Sequence, residues 1–156
     1  MEVQTHSNSV LSQLVVINSL PLLIEHWPNL RAHLESCPEL AVDIDNYNGV
    51  FNFLLDCLKN DDLILVAYYE GALTDSLVVH KSLDIYGNVQ ATLSFAFVQH
   101  PTVSRAWIAP IKDFIARHNV KRVISVCRHG PDSAYARLVL SRYGLTHTRN
   151  VYEREL

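Results

Sequence analysis

The stretch VISVCRHGPDSAYARLVL, Val123 to Leu140, decides how the chain is read, because it admits three readings. Arg128-His129-Gly130, at the end of an apolar run, has the form of a loop whose histidine attacks phosphorus. Cys127, followed by a glycine and a helical pattern, has the form of a thiolate loop that cradles a phosphate. The third reading is plain topology: a strand end, a turn at Gly130-Pro131 that opens a helix, and Gly144 just past the helix end.

Counting removes the first two. A histidine phosphatase carries its signature after the first strand and builds the rest of its site from the large domain that follows, yet only twenty-six residues follow Gly130. A cysteine phosphatase needs an arginine six positions after the cysteine, so that one guanidinium and the loop amides hold the dianion together. That position is Ser133, and Arg137 lies a helical turn further on. Strand, turn and helix remain.

Upstream, an amphipathic helix carrying Ile111, Phe114 and Ile115 precedes the strand KRVISVCR. Before it, LILVAYY (Leu63–Tyr69), LTDSLVVH (Leu73–His80) and VQATLSFAFVQ (Val89–Gln99) are separated by turns at Glu70-Gly71 and Tyr86-Gly87-Asn88, which predicts an antiparallel meander. In its last strand Val89, Ala91, Leu93, Phe95 and Phe97 alternate with Gln90, Thr92, Ser94, Ala96 and Val98, so the odd positions are expected on one face. Two helices come earlier. In the first, Leu20, Leu23, Ile24 and Trp27 fall at i, i+3, i+4 and i+7, behind an N-cap at Ser19 and a first-turn proline at Pro21; Pro28 is expected to break or kink it. In the second, Val50, Phe51, Leu54, Leu55 and Leu58 form one face. With a short strand at Leu14–Ile17 and a final one in HTRNVYERE, the order is β, α, α, β, β, β, α, β, α, β over a single domain spanning residues 1–156.

The bulk numbers agree with one globular domain: 49% hydrophobic and 19% charged residues, and a length sufficient to bury a core without disulfides. No apolar run approaches the ~18 residues of a membrane span. The start MEVQTHSNSV lacks the basic and apolar regions of a signal peptide, so a cytoplasmic product is expected. Three cysteines without CxxC spacing, and eight histidines without HxH or HxxxH spacing, predict neither disulfides nor a metal site. Charge is uneven: Met1 to Gln99 hold three basic residues against twelve acidic, while His100 to Leu156 hold ten basic against four acidic. Such a dipolar chain suits charge-complementary contact with other protein chains. Arg105, Lys121, Arg122, Arg128 and Arg137 lack the interleaved aromatics of a nucleic-acid platform, so nucleic acid is not expected as a partner.

The order of elements resembles the GCN5-related N-acetyltransferase (GNAT) fold family across nearly the whole chain. FVQHP (Phe97–Pro101) stands where that family's fourth strand ends in V-x-P, and SAYARLVLSRYGL stands for its fourth helix, with Ala136 at the alanine position and Gly144-Leu145 for Gly-Phe. The resemblance implies an α/β (α+β) fold with a mixed, largely antiparallel central sheet flanked by helices on both faces.

It also implies where chemistry would sit. The family's R/Q-x-x-G-x-G/A loop grips the acetyl-CoA pyrophosphate with backbone amides. Counted from Arg105, its glycine positions are Ile108 and Pro110; counted from Pro101, they are Trp107 and Ala109. Bulky or imino residues therefore stand where backbone must approach phosphate. The tyrosine acid is replaced by Leu140, and the candidate base positions read Gln90, Thr92 and Ser94. Two expectations follow. The first is a catalytically degenerate member with no catalytic residue, no cofactor and no metal, serving as a structural or interaction module; small degenerate members of this fold among tailed-phage virion proteins extend this to a particle component. The second is an acetyl-CoA-dependent N-acetyltransferase that holds its cofactor with Val98, Ser104, Arg105, Ala106 and Trp107, from a loop over Thr102 to Ala109, with His129, Tyr135 or Tyr143 moving the proton.

Overall fold

The computed structural model describes residues 13–37 and 47–125. Among the described residues five strands form one sheet in the order β1-β2-β3-β4-β5: β1 (Gln13–Val16), β2 (Leu63–Tyr69), β3 (Ala72–Leu83), β4 (Val89–Phe97) and β5 (Arg122–Ser125). All neighbours are antiparallel except β4 and β5, which run parallel from Gln90↔Arg122 to Leu93↔Ser125. A parallel pair needs a crossover. Helices α3 (Pro101–Ala106) and α4 (Ile108–Arg117) supply it, while α1 (Leu20–Ser36) and α2 (Tyr47–Lys59) lie between β1 and β2. The expected fold class is present, and so is the order of elements up to β5, except that two helices, α3 and α4, stand where one was expected. The helix and strand expected after it, including Cys127, His129, Tyr135, Ala136, Leu140, Tyr143 and Gly144, lie outside the described residues.

Both faces of the sheet carry a core, which is why Leu63 to Tyr68 are buried without interruption. On one face Ile64, Val66 and Val78 pack with Leu23, Leu30 and Leu34 of α1 and Val50 and Leu54 of α2. On the other, Leu65, Ala67, Leu77 and Val79 pack with Val103 of α3, Trp107 at the joint of the two helices, and Ile111 and Phe114 of α4. Burying one such leucine contributes about 1.5–3 kcal/mol.

Three expectations are corrected. Helix α1 continues through Pro28 without a break, spanning 17 residues behind the Ser19 cap, whose Oγ accepts from the Leu22 amide. Proline removes the bond to the Ile24 carbonyl, and Ile24 is on the exposed side, where water can take that acceptor. The buried face of α1 is also rotated: Leu20 and Ile24 are exposed, whereas His26 and His33 join Leu23, Leu30 and Leu34 inside. Each histidine has a buried hydroxyl to bond, His26 with Tyr68 and His33 with Ser76, which removes the cost of burying it.

The third correction is in β4. Its alternation does not hold through Phe97: Ala91 and Leu93 face the α3–α4 layer, but Phe95 packs on the α1–α2 layer, and Ala96 and Val98 take over on the α3–α4 side. The register against β3 slips from Val78↔Ser94 to Ser76↔Phe97, one residue extra in β4, with Phe95 at φ +47°. A bulge exchanges the two faces.

Candidate functional site

Chemistry-bearing side chains gather at two places along β4. The first is the bulge. Ser76 donates its hydroxyl to the Phe95 carbonyl at 2.8 Å, so it must accept from His33 Nε2 at 3.1 Å. That assignment leaves His33 Nδ1 as a lone pair facing Cys37 Sγ at 3.6 Å. Burial holds His33 in its neutral form, with its pKa lowered to about 4 despite the opposing pull of Asp75. His33 and Cys37 are both buried, and the His33 ring lies edge-on to Phe97. This chain of bonds fixes the strand's irregular backbone; its nitrogens and hydroxyl are already committed.

The second is the junction where β4 passes into α3. Asp75 of β3, fully buried, accepts four hydrogen bonds: from Thr74 Oγ1 at 2.6 Å, the Gln99 amide at 2.9 Å, the His100 amide at 3.1 Å and His100 Nδ1 at 2.7 Å. The His100 imidazole stacks on Tyr69 with ring centroids 3.6 Å apart. Tyr69 in turn bonds Thr102, and burial raises its phenol pKa above the ordinary value. Because His100 Nδ1 donates to Asp75, the ring presents Nε2 on its other side, which has no hydrogen-bond partner among the described residues. In form this is an oriented base. It also uses up the backbone donors of the junction: the Gln99 and His100 amides are on Asp75, and Pro101 has none.

The loop expected over Thr102 to Ala109 is absent. His100 is the N-cap and Pro101 occupies the first turn, so only three residues separate the end of β4 from the start of α3. Amides that a phosphate loop would aim outward instead bond inside the helices, Ser104 to the His100 carbonyl, Trp107 to Val103 and Ile111 to Trp107. Pro110 lies inside the first turn of α4 rather than starting a helix.

The five cofactor candidates divide by burial. Val98 and Trp107 pack in the α3–α4 core and Ser104 is buried, while Arg105 and Ala106 are exposed. Of the base positions, Gln90 bonds Ser82 and Ser94 bonds His80, leaving them as cross-strand links. His129, Tyr135 and Tyr143 lie outside the described residues. What sequence reasoning missed is Asp75, His100 and Tyr69. One signal was present: an aspartate in the middle of the apolar run LTDSLVV must be bonded if buried. Among the described residues no three His, Cys, Asp or Glu side chains gather as a metal set, and no helix is long and apolar enough to cross a membrane.

No family model matches the chain, and no curated protein matches its sequence. Solved structures do match its fold. AAC(6')-Iy, in complex with the bisubstrate analogue CoA-S-monomethyl-acetylneamine, is 15% identical at a TM-score of 0.65, over 92% of this chain and 99% of that one. A ribosomal-protein-alanine N-acetyltransferase from Brucella melitensis biovar Abortus 2308 is 13% identical at 0.57, over 92% and 99%. A predicted acetyltransferase from Clostridium acetobutylicum, solved with acetyl-CoA, is 13% identical at 0.54, over 92% and 96%. At such identity the likeness is one of fold, and the fold is that of the GNAT acetyltransferases.

Proposed function

We propose that this chain uses the acetyltransferase fold as a protein-binding scaffold and does not hold acetyl-CoA by a pyrophosphate loop. One observation carries the reading: where the resemblance puts phosphate-gripping amides, this chain has a helix that starts at once, and the two junction amides are already bound to its own buried carboxylate, Asp75. An incoming pyrophosphate would have to displace a carboxylate held by four hydrogen bonds in a buried site, which costs several kcal/mol before any contact is gained. The bulky Trp107, buried in the core at the α3–α4 joint, stands where a glycine would let phosphate approach. Contact with other chains in an assembly, a viral particle among them, belongs to this reading.

Titration calorimetry and thermal melting with acetyl-CoA test it. No heat and no change of midpoint are expected at millimolar ligand, where a site of Kd ~10 μM would add ~2.7 kcal/mol. Saturable one-to-one binding overturns the scaffold reading in favour of an N-acetyltransferase. Two observations favour that second reading: a solved relative in fold carries acetyl-CoA, and Asp75 orients His100 as a base would be oriented.

A further inference from the structure

The hairpin joining β3 to β4 projects beyond the last sheet pair, Leu83↔Val89, and carries three exposed apolar side chains in four residues: Leu83 at 68%, Ile85 at 90% and Tyr86 at 80% of full exposure. A turn facing water has no use for that composition, since turns are ordinarily built from polar residues and glycine. Nor is the tip loose. Asp84 Oδ1 accepts from the Tyr86 amide at 2.8 Å and the Asn88 amide at 2.9 Å, the Asp84 amide donates to the Asn88 carbonyl at 2.9 Å, and the Gly87 amide to the Asp84 carbonyl at 3.0 Å. Gly87 supplies the φ of +80° that closes the turn. Ile85 and Tyr86 are thus presented by a backbone whose ordering cost is met before any partner arrives.

We propose that this tip is a docking knob for another protein, inserted into an apolar cleft edged by carboxylates. Shape and area select that occupant over a second copy. Three side chains on a convex tip offer far less than the ~800 Å² that each partner of a standard interface contributes, so two tips meeting head to head would not hold; a concave partner closes around the same residues from every side. Charge selects the rim. Lys121 donates its amide to the Val89 carbonyl at the tip's base, and exposed Arg122 pairs in register with Gln90, close enough to act on Asp84. The inference goes beyond the scaffold reading and does not depend on CoA, because the tip is at the start of β4 and the junction with α3 at its other end.

A photo-reactive benzoyl-phenylalanine placed at Ile85, in extract of the cells that make this protein, tests the docking. The control places it at exposed Glu35 on α1. The expected result is one protein crosslinked from position 85 and not from 35, with the linked peptide mapping to an apolar cleft bordered by Asp or Glu. The crosslink should drop at least tenfold in a carrier of Leu83→Ser and Tyr86→Ser, and fall as salt is raised to about 0.5 M. Both substituted side chains are exposed, so an unchanged melting midpoint separates lost docking from lost folding. No crosslink, a crosslink to a second copy or to lipid, a linked peptide without carboxylates, or a yield the serines leave unchanged overturns the proposal. Acetyl-CoA binding together with the crosslink would sink the scaffold reading alone.

Discussion

His33 shows how a single side chain couples the core to pH. Its pKa is lowered to about 4 by burial, while the unfolded chain titrates it near 6.5. Between those values the unfolded state binds a proton that the folded state refuses, so stability is fully present above pH 6.5 and is lost as pH falls toward 4, by up to about 3 kcal/mol. Burial lowers the pKa of His80 as well, which adds to the loss in the same direction. Urea melts from pH 7 to 4 should therefore slope steeply in the wild type and clearly less in His33→Gln, which keeps a donor for Ser76 without the titration. Equal slopes would mean that His33 is already protonated inside. Nothing in the sequence announced this residue as core. A helical pattern counts apolar letters, and His26 and His33 occupy inward positions only because hydroxyls on β2 and β3 wait for them, which local spacing does not contain.

At the scale of elements, the turn between β2 and β3 gives a direct test of backbone strain. Glu70 and Gly71 both have positive φ, +52° and +82°, between the paired residues Tyr69 and Ala72. This is the two-residue hairpin that favours Asn-Gly, and a glutamate is held there against its preference. Glu70→Asn should raise stability by about 0.5–1 kcal/mol, read as a shift in the thermal midpoint; a fall would show that Glu70 makes a contact the turn needs. The Glu70-Gly71 pair was legible as a turn in the sequence, as were the three strands it helps to order. Less legible was the passage after β4. Prolines at Pro101 and Pro110 suggested a loop between them, but a proline in the first turn starts a helix as readily as it ends one, and His100 settles the choice only through its bonds to a residue 25 positions earlier.

For the whole molecule, the sheet is shared between two cores, and each core holds one tryptophan. Trp27 packs against the α1–α2 cluster, edge-on to Phe51, and Trp107 is buried in the α3–α4 cluster. Strands β2 and β3 contribute alternate residues to both, so neither layer can loosen without the other. Trp107→Phe and Trp27→Phe, each reporting on the remaining tryptophan, should give fluorescence transitions that coincide with the loss of secondary structure in the same variant. Two separated transitions would show that the layers fold apart. The resemblance to the acetyltransferase fold rested on element order, and the described residues keep that order as far as β5. The path of the chain after β4 did not follow from it, because that passage is set by hydrogen bonds to Asp75 that no motif encodes.

The extra residue in β4 bears finally on how such a chain can change over generations. Before Ser94 the strand's odd positions answer to one helical layer, and after Phe95 its even positions do. A changed letter in this strand disturbs one contact. A lost letter between Ser94 and Phe97 would turn Val98 and the start of α3 half a revolution, carrying Asp75's partners away from it. The count of residues here is therefore under tighter constraint than their identity, and mutational drift should be freer in spelling than in length.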